Sequence, residues 1–377
     1  MRKNRNPFQY GHVVVGDDFC NRRQEIRDIR RAIENGEKLF IYSERRLGKT
    51  SLVHHILKRL PKKQFLGVYV DLWPCDSESE FISDTAKAIT MALGSTTKSI
   101  LQIAGELFGR LRPNVTLDAE GKPTVAFGVA DSTRSDLDLE EVLHAPAKIA
   151  ERKNRAVVIV FDEFQRIGEY QSDKVERRLR SIVQHQPAVS YLFLGSRQHL
   201  LQEMFLNKSR PLYRAAGHYP LQVIDAKHWL SFIGKRFNDA NRHISEEWIR
   251  KLCHLTEGHP FYTQHLCNLL WEQCPPGGSV EGEAIDNAVD VLLGRESYAY
   301  TTLWESLTPN QRRFLKGLAH EDHPQPYSSA FTRRYGLRSS SNAQRAADSL
   351  LERDIIQTEN GSFKIVDRFL RLWILRM

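Results

Sequence analysis

Three features of the sequence predict an α/β fold: a parallel sheet with helices on both faces, then a helical segment and a C-terminal winged helix-turn-helix. Short apolar runs alternate with amphipathic stretches through the first 225 residues. The strand pattern then stops and four helical patterns follow one another to about residue 300. The last segment reads as three helices and a hairpin. Strands alternating with helices imply a parallel sheet, because parallel neighbours need a crossover that packs on a face. At 377 residues the chain exceeds a single core, and the expected division is 1–225, 226–300 and 301–377.

The elements follow in order. GEKLFIYS (36–43) is a buried strand, and SLVHHILKRL after it is a helix stopped by Pro61. QFLGVYVDL (64–72) is the second strand. SESEFISDTAKAITMALG (77–94) carries a capping residue, helical apolar spacing and a terminal glycine. PNVTLDAEGKPTVAFGV (113–129) alternates with period two around Glu120 and Gly121, a hairpin set between helices. RAVVIVFDEF (155–164) is apolar throughout its first half, as a strand covered on both faces must be. DKVERRLRSIVQHQ (173–186) is a helix, VSYLFLGS (189–196) the fourth strand and HYPLQVI (218–224) the fifth. AKHWLSFIGKRFNDAN, SEEWIRKLCHLT, PFYTQHLCNLLWEQC and EGEAIDNAVDVLLGRE are the four helices of the second segment. TPNQRRFLKGLAHE, SSAFTRRYGL and SSSNAQRAADSLLERD are those of the third, and DIIQTENGSFKIVD is its hairpin with Asn360 and Gly361 at the turn.

SERRLGKT (43–50) joins the first strand to the first helix. It fits the phosphate-loop pattern G-x-x-x-x-G-K-[ST] except that Ser43 stands at the first glycine. Loop N–H groups and a helix N-terminus favour an anion there. Gly48 lets the backbone approach a phosphate, Lys49 supplies a charge between β- and γ-phosphates, and Thr50 offers a hydroxyl to Mg2+. The cradle is thus Ser43, Glu44, Arg45, Arg46, Leu47, Gly48, Lys49, Thr50 and Ser51. Taken alone, GKT could be an exposed basic turn.

VVIVFDEF supplies a second element. Asp162 and Glu163 end a buried strand, which in an open parallel sheet is the ligand edge. Asp162 would hold Mg2+; Glu163 would orient or deprotonate an attacking water, or simply cap the next segment. Ser196 and Arg197 end another buried strand and read either as a γ-phosphate sensor or as a helix cap and a surface arginine. Gly258, His259 and Pro260 begin a helix that either closes over a nucleotide or is a plain helix start.

These stretches, with NPFQYG (6–11), FCNRRQEIRDI (19–29) and SRPLYR (209–214), resemble the archaeal-type ATPases of the STAND and AAA+-related P-loop group along essentially the whole chain. The resemblance implies a P-loop core, a helical lid, a winged helix, and ATP with Mg2+ as a switch of domain placement. It implies that Phe19 and Arg22 flank the adenine, that Lys49, Ser196, Arg197 and Glu163 serve catalysis, and that His259 and Pro260 contact nucleotide from the lid. Asn21 stands where a glycine is usual, and asparagine tolerates positive φ better than most residues. Relatives often carry a C-terminal nuclease-like domain, which a chain ending at Met377 is expected to lack.

Net charge is +8, which permits contact with nucleic acid without requiring it. Between His323 and Ala347 stand Arg333, Arg334, Arg338 and Arg345 and no acid. The SSSNAQR helix can contact DNA, or its serines can cap a winged helix that packs internally. An arginine of ERRLRSIVQHQ could act as a finger or lie on the surface. The expected partners are ATP or ADP and a protein partner or a second copy of the chain. The longest wholly apolar run, 156–161, cannot span a bilayer, and the basic N-terminus MRKNRNPFQYGH has no apolar signal core. Five scattered cysteines read as buried thiols, and a cytoplasmic protein is expected. The readings are an ATP-hydrolysing switch with slow turnover, a nucleotide-gated DNA-binding regulator, or a non-hydrolysing scaffold in a defence-type complex.

Overall fold

The computed structural model describes residues 6–14, 16, 19–128, 135–359 and 361–377. The basic residues 1–5, Val129 at the end of the expected inserted hairpin, and Asn360 in the C-terminal one lie outside the described residues. The chain divides into two compact units: Arg22–Glu44 with Lys49–Leu221, and Met1–Asn21 with Arg45–Gly48 and Gln222–Met377.

The first unit is the α/β core. Helix α1 (Arg23–Glu34) precedes β1 (Lys38–Tyr42), α2 (Lys49–Arg59), β2 (Phe65–Asp71), α3 (Glu78–Leu93) and α4 (Thr97–Leu107). The hairpin β3 (Arg112–Leu117) and β4 (Pro123–Gly128) follows, then α5 (Ser135–Lys153) and β5 (Ala156–Asp162). A 3-10 helix Phe164–Glu169, α6 (Lys174–Val183), β6 (Val189–Gly195), α7 (Gln198–Leu206) and β7 (Gly217–Pro220) complete it.

Five strands form one parallel sheet in the order β2-β5-β6-β1-β7. The central strands are the most apolar for that reason: every residue of β6 is buried, as are six of seven in β5. Their register sets the site. Tyr42 of β1 lies beside Gly195 of β6, and Asp162 of β5 beside Asp71 of β2. The C-terminal ends of β1, β5 and β6 therefore reach one edge, bringing Ser43, Asp162 and Ser196 to the same side.

The fifth strand is shorter than the sequence suggests. It ends at Pro220, not Ile224. The amide of Ile224 bonds the Gly258 carbonyl instead (3.2 Å), so the chain leaves the ladder.

The second unit holds α8 (Ala226–Asp239), β8 (His243–Ile244), α9 (Glu246–Thr256), α10 (Pro260–Gln273), β9 (Ser279–Val280) and α11 (Gly282–Glu305). It continues with α12 (Pro309–His320), α13 (Ser329–Arg334), α14 (Ser340–Glu352), β10 (Ile356–Glu359), β11 (Ser362–Ile365) and α15 (Arg368–Leu375). Three features depart from expectation, one being helix α15 after the C-terminal hairpin, where no further helix was expected. Strands β8 and β9 pair in parallel where no strand was expected, each too short to show a period. Helix α11 runs to Glu305, past the expected segment boundary at 300. The winged-helix order of three helices and an antiparallel hairpin is present, with Ser339 capping α14 through the Asn342 amide and Asp367 capping α15. One hydrophobic cluster runs from Phe8 through Trp229, Leu266 and Trp304 to Phe369 and Ile374, so the helical segment and the winged helix share a core.

All five cysteines are free and buried. Among the described residues no three His, Cys, Asp or Glu side chains gather as a metal cluster, and no helix is long and apolar enough to cross a membrane.

Candidate nucleotide site

The phosphate-loop helix α2 starts at Lys49 with no acidic residue in its first turn. The helix dipole at that end favours an anion. Gly48 sits at φ +93°, and no heavy atom lies within 4 Å of where a Cβ would stand. That open space beside left-handed backbone is what close approach of a phosphate requires. Lys49 is buried; its ammonium donates to the Ser43 hydroxyl (2.9 Å) and to the carbonyls of Glu44 (3.0 Å) and Ser43 (3.3 Å). Ser43 at the first loop position thus supplies two acceptors, one of which glycine could not. Ser51 and Leu47 are buried beside them in the sequence.

Thr50 and Asp162, remote in sequence, meet: the threonine hydroxyl donates to Asp162 Oδ2 at 2.6 Å. The amide of Glu163 donates to Oδ1 at 2.9 Å. The Tyr69 hydroxyl also donates to Oδ2, at 2.5 Å. Burial, and after it the Asp162 charge, push the Tyr69 hydroxyl far above its ordinary pKa, so it remains a donor. His54, tilted against the Tyr69 ring at 4.3 Å, is held below its usual pKa by burial, with Asp162 opposing the shift. An oxygen-only donor set of one carboxylate and one hydroxyl suits Mg2+, which keeps several waters and takes few protein ligands.

Glu163 has left-handed backbone (φ +51°) at the start of the 3-10 helix and makes no side-chain cap there. Its Oε2 instead accepts from the Ser196 hydroxyl (3.0 Å) and from the Gln165 amide. Capping does not account for Glu163, nor for Ser196: the residue that precedes α7 is Arg197, and it makes no side-chain cap. Arg197 pairs with Glu169 at 2.9 Å. Arg22, at φ +68°, is buried and bonds Glu25 at 2.8 Å. Asn21 before it adopts φ +54°, the conformation its glycine-like position asks for. On α6, Arg177 pairs with Asp173 (2.9 Å) and Arg178 with Glu140 (2.7 Å).

In the second unit, the loop residues Arg45–Gly48 are gripped from several sides. His259 Nε2 donates to the Arg45 carbonyl (3.1 Å), and the Arg45 guanidinium meets Asp354 (3.1 Å). Arg46, in left-handed backbone at φ +61°, lays its guanidinium over the Phe261 ring at 4.4 Å. His259 is buried and Pro260 stands at the first position of α10. Phe19 is half-buried. The sequence singles out the loop, Asp162, Glu163, Ser196 and His259 as candidates. It does not single out Tyr69, Gln165, Phe261 and Asp354, which contact those candidates in the fold, because none sits in a local pattern that announces its partner.

A family model for ATPase domains found predominantly in Archaea matches residues 19–266, and a winged-helix-domain model matches 298–376. The chain belongs to this archaeal-type ATPase family. No curated protein sequence matches it. Among solved structures, a Walker-type ATPase of Pyrococcus abyssi is 17% identical with a TM-score of 0.67, over 98% of this chain and 100% of that one. The ORC2 protein of Aeropyrum pernix, in ADPNP–ADP complexes, is 14% identical with a TM-score of 0.57, over 99% and 98%. The ORC1 protein of the same organism, in complex with DNA, is 14% identical with a TM-score of 0.50, over 96% and 93%. At these identities the likeness is one of fold. For this archaeal-type ATPase it places the parallel sheet and the winged helix in a known architecture.

Proposed function

We propose that this archaeal-type ATPase is a slow, Mg2+-dependent ATP-hydrolysing switch of the cytoplasm, coupling nucleotide state to the placement of its domains and to a protein partner. The observation that carries the reading is the meeting of Thr50 with Asp162 at 2.6 Å beside an open Gly48 loop. The domains would be the ATPase core (1–225), the helical lid (226–300) and the winged helix (301–377).

Each residue has a role in this reading. The amides of residues 43–51 and the α2 N-terminus bind the phosphates. Lys49 leaves Ser43 and Glu44 to meet the β- and γ-phosphates, exchanging carbonyl partners for charged ones. Thr50 and Asp162 would hold Mg2+, which would supply positive charge against the charge that develops on the transferred phosphoryl group. Glu163 orients the attacking water and accepts its proton, with Ser196 fixing the carboxylate. Arg197 senses the γ-phosphate, Phe19 and Arg22 flank the base, and His259 and Pro260 report from the lid.

Lys49→Ala should abolish ADP and ATP binding in equilibrium titration. Glu163→Gln should keep binding and lower phosphate release by about 100-fold or more. Unchanged turnover in the glutamine variant would remove Glu163 from the mechanism.

A second reading is favoured by the exposed Arg333, Arg338 and Arg345 around the Ser339-capped helix α14. In it nucleotide gates DNA binding. Affinity for duplex DNA should then fall steeply with salt, and charge reversal at Arg338 and Arg345 should reduce both affinity and slope. A flat salt response refutes it.

A further inference from the structure

Tyr69 is placed at the acidic end of the sheet by strand alternation. On β2 the residues Leu66, Val68 and Val70 are buried, while Gly67, Tyr69 and Asp71 share the opposite face. That face meets α2. A Cβ on Gly67 would stand 3.0 Å from Leu57 of α2, so the glycine permits the helix to lie close. One alternation further on, the Tyr69 ring rests against His54 of the same helix at 4.3 Å. The ring is thereby fixed, and its hydroxyl reaches past its register partner Val160 to Asp162 Oδ2 at 2.5 Å.

The Asp162 carboxylate is buried, and three donors define its orientation: Tyr69 and Thr50 on Oδ2, the Glu163 amide on Oδ1. Of the two on Oδ2, the Thr50 hydroxyl is the one the proposed function assigns to Mg2+. Once it turns away, Tyr69 alone holds that oxygen in place. We propose that Tyr69 is a positioning residue of the nucleotide site: its hydroxyl locks the Asp162 carboxylate in the orientation that receives Mg2+ and retains it there when Thr50 changes partner. The inference rests on the assignment of Asp162 to the metal.

The test measures binding, not turnover. A fluorescent ADP analogue is titrated into the full chain at a series of Mg2+ concentrations, for the parent, Tyr69→Phe and Asp162→Asn. Phenylalanine keeps the ring on His54 and removes only the hydroxyl. Loss of one charge-assisted hydrogen bond should raise the half-effective Mg2+ concentration by about tenfold. Metal-free ADP affinity should stay within about twofold of the parent, since the phosphate loop is untouched. Asp162→Asn should remove the Mg2+ response. If Asp162→Asn does so and Tyr69→Phe leaves the half-effective concentration unchanged, the positioning role is wrong and the metal assignment stands. If neither variant alters the Mg2+ response, the metal assignment itself fails. If Tyr69→Phe weakens metal-free binding as much as metal-dependent binding, the tyrosine supports the fold and not the carboxylate.

Discussion

Replacing Gly258 by alanine should cost far more than an ordinary glycine substitution. Gly258 lies at φ +65°, where an L side chain costs about 1 kcal/mol. Its added Cβ would also stand 2.4 Å from the Ile224 carbonyl oxygen, backbone that no rotamer change can move. Relief requires the two strands of chain to part by roughly 1 Å, the gap to ordinary contact distance. The Gly258 carbonyl accepts from the Ile224 amide (3.2 Å) and from Trp229 Nε1 (3.1 Å), and both bonds stretch in that movement. At about 1 kcal/mol each, they bring the expected loss to about 3 kcal/mol. Gly277→Ala is the control: φ is +80°, but nothing lies within 4 Å of its Cβ, so only the backbone term of about 1 kcal/mol applies. Urea unfolding followed by tryptophan fluorescence reads both. Equal shifts of the two midpoints would refute the crowding argument. Because His259 follows Gly258 and bonds the Arg45 carbonyl, the same variant should loosen that contact, seen as faster amide exchange in 45–48.

Other outcomes follow from the charged groups. Burial pushes the Glu176 carboxyl up to about 7 from its ordinary 4.5, despite its pairing with Arg210. A carboxyl whose folded pKa is raised contributes stability in full below pH 4.5 and loses it as pH rises to 7, so Glu176→Gln should flatten the fall in melting temperature across that window. An unaltered slope would show that Glu176 does not titrate there. The Arg45–Asp354 pair is partly exposed, and a double-mutant cycle with alanine at both positions should give a coupling of about 0.2–1 kcal/mol that fades in 1 M salt. Lack of salt dependence would mean that packing, not charge, joins the loop to the winged helix. His265, which burial lowers to about 4, should stay neutral down to pH 5 by NMR; a titration near 6.5 would contradict its stacking against Tyr10 at 3.9 Å.

The parts of the fold legible in the sequence are those with a local physical cause. A central strand covered on both faces is mostly apolar, so β5 reads as an unbroken run and β6 as one interrupted only by Ser190, whose hydroxyl bonds the Ile33 carbonyl. Capping residues and proline marked α3, α10 and α12. The two-residue strands β8 and β9 left no trace, because pairing over two residues needs no pattern. The end of β7 was misplaced because Ile224 is apolar in either setting, and its hydrogen-bond partner lies at Gly258.

The sequence by itself determined that a loop ending in Gly48, Lys49 and Thr50 joins a buried strand to a helix, and that Asp162 ends another such strand with Glu163 next to it. Those statements need only spacing, since side-chain alternation and helix entry are properties of adjacent residues. Tertiary structure alone decided who meets whom: Tyr69 with Asp162 93 positions away, Arg45 with Asp354 309 positions away, Ser196 with Glu163. Such pairs depend on strand register and on which helix covers which face. Arg45 and Arg46 illustrate the difference. In the sequence they are two charges in a loop; folded, one is tied to the start of the wing and the other to the Phe261 ring, because the chain closes over distances that no local pattern records.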